Sequence, residues 1–508
     1  MLAVVGFLAY VIITALVGLV TAAVIYVRWH YGTLEKVKGL PAVVKPAIVG
    51  GSDVYIHKKI VHDQDSENVK KYGKIYGYYE GRQPQIYIAD PELVRQIFIK
   101  DFDHFQTKRI MDFGHALINE MMDILPYDKW KVVRSSLSPS LTTGKIRHMS
   151  IEMTEAIQDW VGTVGEKLKN NEPFEPKRLY TALTSDVVAR CGFGTKVNSL
   201  HDPNDIFVQH TRKFGTEDLE INFMLPVTQT FPFLISLAPF FPPDTLDFFA
   251  NIVKNVMKSR RESNTKISDF IDSLNEMMEK VGTEEYKKLG ITVNTVLCQA
   301  LIFFLAGFET TATTMTFLSY SLAKNPKVQE KLLEEVDAYL ARHDGKIEHE
   351  TIGEMTYLAA CMNETLRMYA PLVRVERVCT KDWYHEPTGL RIPKGMVVQV
   401  PIHAIHYNEE YFPDPHSFKP ERFLPENKDK MNPYAFLSFG MGPHNCIGMR
   451  FAKEEIQLAM TNLLRNYEFR PNASTKIKYH PGRTFLLQVK PFTLDAIRRT
   501  KFLKGETI

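Results

Sequence analysis

The stretch F-G-M-G-P-H-N-C-I-G, Phe439 to Gly448, sets one cysteine, Cys446, at the end of a glycine-rich loop that runs into an amphipathic helix. Gly440 and Gly442 permit positive φ or close packing against a flat group, and Pro443 stiffens the loop. From Met449 onward the apolar positions Ala452, Ile456, Ala459, Met460 and Leu463 follow helical spacing. Amides at that helix N-terminus favour a negative sulfur. A cysteine buried in an ordinary turn needs neither the flanking glycines nor the aromatic Phe439. A thiolate presented to a flat cofactor accounts for all of them.

Three further stretches join the loop. Val293 to Leu322 is nearly uncharged and reads as one long buried helix, with A-G-F-E-T-T, Ala306 to Thr311, at its centre. A mid-helix glycine costs about 1 kcal/mol against alanine, so Gly307 is expected to let a flat group or small ligand approach. Thr310 can bond back to the carbonyl of Ala306 and open a groove, and by helical spacing Phe303 shares that face. E-T-L-R, Glu364 to Arg367, is an i,i+3 ion pair, and P-E-R-F follows at Pro420 to Phe423. W-K-V-V-R puts Trp130 and Arg134 on one helix face at i,i+4.

Together these residues resemble the cytochrome P-450 superfamily, the haem-thiolate monooxygenases. The runs R-V-E-R-V-C from Arg374 and N-C-I-G-M-R-F-A from Asn445 are most similar to vertebrate liver drug- and steroid-oxidising members and their invertebrate relatives. The resemblance implies a mainly α fold with small β-sheets, one catalytic domain behind an N-terminal transmembrane helix. It implies haem b with Cys446 as axial thiolate, Phe439, Gly440 and Gly448 shaping its loop, and Ala306 against the haem face. It implies Glu309 and Thr310 as the acid and alcohol that relay protons, and Trp130, Arg134, Arg377 and His444 at the propionates. Arginine is the more usual residue where His444 stands; a histidine keeps a donor whose charge depends on pH. The resemblance further implies that Glu364, Arg367 and Arg422 form a buried network behind the loop, and that Phe303, Leu372, Val373, Phe485 and Leu486 border the substrate. Arg374 is a second candidate for that pocket.

The rest of the chain agrees in character. Its 508 residues carry 44% hydrophobic and 24% charged side chains, an ordinary globular balance. A formal charge of +3, with no basic run interleaved with aromatics, excludes a nucleic-acid partner. Five scattered cysteines with no C-x-x-C pair give neither a disulfide framework nor a zinc site. Leu2 to Val27 holds no charge and would span roughly 39 Å as a helix. Arg28, Lys36, Lys38 and Lys45 follow it, so the positive-inside rule puts the remainder in the cytosol, and the resemblance implies the endoplasmic reticulum. The expected organisation is an anchor at 1–27, a linker at 28–52 and a haem-binding domain at 53–508. From Gly73 to Ala89 alternation around Gly81 predicts a hairpin. Prolines in the phenylalanine-rich stretch from Phe223 to Phe249 prevent one continuous helix, and the resemblance implies a membrane-dipping lid there.

No flavin or nicotinamide signature is present, so electrons come from a partner: an NADPH-cytochrome P-450 reductase, with a small haem protein as a further donor. Lys129, Lys131, Lys428, Lys430, Arg450 and Lys453 are its candidate docking cations. The substrate is a lipophilic small molecule such as a steroid, fatty acid or xenobiotic, oxidised with O2. Two alternatives stand beside this: a haem-thiolate isomerase or dehydratase of lipid peroxides, and a haem- or sterol-binding membrane protein without turnover.

Overall fold

The computed structural model describes residues 2–47, 51–53, 55–202, 204–214, 230–237, 239–263, 269–482 and 485–500. The first part of the Phe223 to Phe249 stretch lies outside them. A straight apolar helix, Leu2–Arg28, leads into the body. Its residues 4–22 are exposed, and its last turns dock on the body. Val27 is fully buried, and Tyr26 stacks on Phe231 at 5.6 Å with Arg82 over its other face.

The 28–52 segment is more structured than a linker. Val44 N–H donates to Gly77 O and Gly77 N–H to Ala42 O, adding a short rung to the sheet edge. The sheet begins with the expected hairpin, β1 (Ile75–Glu80) and β2 (Gln83–Ile88), antiparallel with Glu80 opposite Gln83. Gly81 takes φ 55° at the turn, a value that favours glycine. Two later strands complete the sheet. β3 (Arg374–Val378) pairs antiparallel with β6 (Val397–Pro401), which pairs parallel with β2, so the order is β1-β2-β6-β3. The hairpin β4 (Trp383–His385) with β5 (Leu390–Ile392) and the pair β7 (Tyr467–Pro471) with β8 (Leu494–Arg498) are separate.

Helices make up the rest, arranged around Val293–Lys324. This 32-residue helix starts at a capping box between Thr292 and Thr295. It packs against Pro176–Phe193 on one side and Met449–Leu464 on another. Its interior position explains why it is apolar all round, as the sequence predicts. One continuous core gathers these helices, and a second lies between the sheet and the segment before Cys446, including Phe98, Val398, Ala435 and Leu437.

Candidate active site

Leu437 to Gly448 folds as a series of tight turns. Gly440 N–H donates to Leu437 O at 2.8 Å, Asn445 N–H to Gly442 O at 3.0 Å and Cys446 N–H to Phe439 O at 2.8 Å. Gly440 and Gly442 take φ 68° and 71°. A Cβ on Gly442 would meet Phe98 O at 2.1 Å, so neighbouring backbone, not a flat ligand, requires that glycine. Cys191, Cys298, Cys361 and Cys379 are buried, whereas Cys446 is exposed. Its thiol is still ringed by protein. Burial pushes it up, opposed by the Gly448 N–H and assisted by Asp123, with Arg134 and Lys108 pulling it down more weakly. The Gly448 amide thus favours a negative sulfur, as the sequence predicts, against the opposing effect of burial. A metal cation at the sulfur adds to that preference.

Arg134 and Trp130 project from the Tyr127–Leu137 helix. Arg134 Nη2 donates to Asn445 O at 2.9 Å and Oδ1 at 3.2 Å, which holds the guanidinium beside Cys446. Arg377 is 2% exposed, lies 4.2 Å over the Phe98 ring and donates to Glu376 O. Its Nε is buried with no hydrogen-bond partner among the described residues. Burial brings its pKa down to about 10 despite the opposing charges of Asp123 and Glu376. A buried guanidinium with an unused N–H fits the carboxylate of a cofactor, and the exposed cysteine nearby fits its metal.

His444 departs from expectation. Its ring lies 3.9 Å from that of Trp130, and Nε2 is 2.8 Å from Gln106 O. A carbonyl only accepts, so Nε2 carries the proton and donates it there. Burial, then the Arg377 charge, hold the ring neutral with a pKa of about 3. No second N–H remains for a propionate.

On the central helix Thr310 Oγ1 donates to Ala306 O at 2.7 Å, as the sequence predicts, and Ala306 is exposed in a largely buried helix. Three neighbours correct the sequence reading. A Cβ on Gly307 would meet Val188 Cγ2 at 2.9 Å, so this glycine serves helix packing. Glu309 is 5% exposed and accepts from Lys177 Nζ at 2.7 Å, and Lys177 also donates to Thr313 Oγ1 at 3.0 Å. The acid thus faces the Pro176–Phe193 helix. Phe303 stacks on Phe270 at 4.4 Å and meets Phe451 edge-on, so it is a packing residue; half-buried Ile302, one turn before Ala306, is the better candidate for that face.

Glu364 and Arg367 are both fully buried and joined by two bonds of 2.8 and 2.9 Å. Arg422 Nε and Lys419 N–H donate to the same carboxylate at 3.4 and 2.9 Å. Arg367 also donates to His406 O and Pro415 O. His406, which the sequence reading passed over, completes the arrangement. Its Nε2 accepts from Leu437 N–H at 3.0 Å, so Nδ1 is the donor to Arg367 O at 2.8 Å. A neutral imidazole therefore ties the ion-pair helix to the start of the cysteine loop. Only its place between two apolar runs was visible in sequence, which marks nothing.

The remaining candidates divide. Leu372 forms a β-bridge with Leu486, and Val373 N–H donates to Phe485 O, so the two distant segments do meet. Phe485 is 59% exposed, while Val373 packs in a small cluster with Ile56 and Val61. Arg374 does not face a pocket: it grips Asp65 through two bonds of 2.7 and 2.6 Å. Lys129 is buried, bonded to Glu120 and Gly290 O, and drops out as a docking cation. Lys131, Lys428, Lys430 and Arg450 are exposed.

Over residues 41–496 the sequence matches the family described as Cytochrome P450. It is similar to Cytochrome P450 3A56 of Fundulus heteroclitus, 34% identical over 497 residues, covering 96% of this chain and 98% of that one. Cytochrome P450 3A28 of Bos taurus is 36% identical over 461 residues, 89% of each chain. Cytochrome P450 3A11 of Mus musculus is 35% identical over 497 residues, covering 94% of this chain and 95% of that one.

Proposed function

The chain belongs to the cytochrome P450 family, and from that premise we propose that it is an endoplasmic-reticulum monooxygenase inserting oxygen into a lipophilic substrate with electrons from an NADPH-dependent reductase. Membership makes it an oxidoreductase whose cofactor is haem b, bound to iron through a cysteine thiolate. Bound haem supplies oxygen activation, and electron donation by the thiolate favours O–O cleavage.

The observation that carries the assignment of residues is the exposed Cys446 on a loop of fixed turns, beside a buried guanidinium with an unused N–H. Cys446 is the ligand in this reading, with Arg134 and Arg377 at the propionates and Trp130 alongside. His444 fills space against Trp130 instead of donating. Ala306 presents a small side chain to the cofactor face. Thr310 Oγ1, its proton committed to Ala306 O, keeps lone pairs to accept a hydrogen bond in the groove. Glu309 holds its place through Lys177 and reaches the groove only by leaving that partner. Ile302, Leu372, Phe485 and Leu486 give the substrate an apolar wall.

The apolar Leu2–Arg28 helix followed by basic residues supports a single membrane span with the body in the cytosol. The exposed cations Lys131, Lys428, Lys430 and Arg450 support docking of an acidic electron donor, whether the reductase or a small haem protein. The deciding experiment incubates a lipid extract with the protein, reductase and NADPH and looks by mass spectrometry for products gaining one oxygen atom. Products formed without NADPH would overturn the monooxygenase reading. Replacing Cys446 with alanine should abolish the sulfur-ligated spectrum of the reduced, carbon monoxide-treated protein; its persistence would remove Cys446 as ligand.

A further inference from the structure

Two side chains join the end of the helix Thr356–Met368 to the start of the cysteine loop. Ser438 Oγ donates back to Leu366 O at 2.8 Å. His406 does more, because it binds backbone on both sides. Its Nδ1–H donates to Arg367 O while the Arg367 guanidinium donates to His406 O, both at 2.8 Å, so the two residues hold each other reciprocally. At the far edge of the ring Nε2 accepts from Leu437 N–H at 3.0 Å. Phe436, stacked at 5.7 Å, and Phe412, edge-on at 5.9 Å, fix the ring plane. His406 and Leu437 are both fully buried, so water does not replace the imidazole at that N–H. Burial also holds the ring neutral, with a pKa of about 3, and only the neutral ring keeps an acceptor nitrogen.

At Leu437 this tie becomes loop geometry. His406 holds its N–H, and its carbonyl accepts from Gly440 N–H at 2.8 Å, which closes the first turn. Phe439 O, inside that turn, accepts from Cys446 N–H at 2.8 Å. Leu437 is therefore gripped at both of its peptide groups, and freeing one lets the turn, with Phe439 O in it, rotate away from Cys446 N–H. The guanidinium that holds His406 is itself clamped by Glu364 through two bonds of 2.8 and 2.9 Å. A line of hydrogen bonds thus runs from Glu364 through Arg367, His406 and Leu437 into the turn that orients Cys446.

Resting on the haem-thiolate reading, we propose that His406 is a positioning residue for the iron ligand: its acceptor nitrogen holds the loop in the register that keeps the Cys446 sulfur bonded to iron as thiolate. The buried pair of Glu364 and Arg367 then acts on the sulfur through this imidazole, and not only through overall stability. Two substitutions separate that role from packing. The amide oxygen of glutamine falls near the Nε2 position and accepts from Leu437 N–H. Asparagine is too short to reach Leu437, and its amide nitrogen, near the Nδ1 position, keeps only the bond to Arg367 O. Each variant loses one hydrogen bond of similar worth, so a purely structural role predicts that the two behave alike.

The test uses the full-length, haem-loaded protein in vesicles. The reduced, carbon monoxide-treated spectrum gives the sulfur-ligated fraction, denaturant titration gives stability, and hydrogen exchange gives protection of the Leu437 amide. His406→Gln should keep the sulfur-ligated fraction and stay within about twofold of the unmodified protein in exchange. His406→Asn should lose about tenfold in protection at Leu437 and most of the sulfur-ligated fraction, with a denaturation midpoint like that of His406→Gln. A sulfur-ligated fraction retained in His406→Asn, lost equally in both variants, or lost in step with the denaturation midpoint would overturn the proposal. Should His406→Asn take up no haem, His406→Gln decides alone: its full sulfur-ligated spectrum is expected, and loss of that spectrum overturns the proposal. The carbon monoxide spectrum of the unmodified protein tests the haem-thiolate reading separately, since absence of the sulfur-ligated form there condemns that reading whatever the variants do.

Discussion

Two buried glutamates show how much a partner matters. Glu364 is fully enclosed, but every contact it makes is charge-assisted: Arg367, Arg422 and the Lys419 N–H. Substituting Arg367 with methionine strands its carboxylate, and the expected loss is about 3–5 kcal/mol of unfolding free energy in a denaturant titration. Glu455, on the helix after Cys446, is equally buried, yet neither oxygen has a hydrogen-bond partner among the described residues. Burial lifts its pKa well above the ordinary carboxyl value. A raised folded-state pKa means that the folded protein holds a proton the unfolded chain gives up. The associated stability is full below the unfolded pKa near 4.5 and is lost as pH rises toward the folded value. Glu455→Gln should therefore flatten the decline of thermal stability between about pH 5 and 8. A parallel pH profile for the two proteins would show that Glu455 finds a partner in solution.

Elements are held by close approaches that propensity alone would not choose. Alanine at position 307 improves helix propensity by about 1 kcal/mol, yet its Cβ would sit 2.9 Å from Val188 Cγ2. Gly307→Ala is expected to be destabilising by about 1–3 kcal/mol through overpacking. Adding Val188→Ala should restore most of the loss, a coupling that a double-mutant cycle measures directly. The central helix and Pro176–Phe193 are joined again by Thr184 Oγ1 to Phe308 O and by Lys177 to Glu309. Their spacing is thus set jointly by a small residue and polar ties.

For the molecule as a whole, the joint between the N-terminal helix and the body is the informative region. Tyr79 Oη accepts from Gly32 N–H and Leu34 N–H and donates to Glu35, and Leu34 is fully buried. Deleting residues 4–22 removes only exposed helix and should leave the melting temperature unchanged. Deleting residues 2–34 should lower it, because burial of a leucine alone contributes about 1.5–3 kcal/mol. The exposed cations Lys131, Lys428, Lys430 and Arg450 give a second prediction at this scale: reductase-supported turnover should fall as ionic strength rises. Turnover independent of salt would argue against docking through those cations.

The sequence by itself determined whatever depends on neighbours along the chain. The hairpin around Gly81, the long apolar helix, the Thr310 bond to Ala306 and the positive φ of Gly440 follow from backbone sterics and short-range hydrogen bonding, whereas Gly442 is required by the distant backbone of Phe98. The i,i+3 pair of Glu364 and Arg367 is of the same kind. Only the tertiary structure decided which distant group each side chain meets. It turned Glu309 toward Lys177, Arg374 toward Asp65, the single N–H of His444 toward Gln106, and Lys108 toward Asp123. Burial makes those choices, because a charge or N–H removed from water takes the nearest partner the packing supplies, and that partner sits scores or hundreds of residues away in the chain, or, as for Lys108, across a loop that only folding closes.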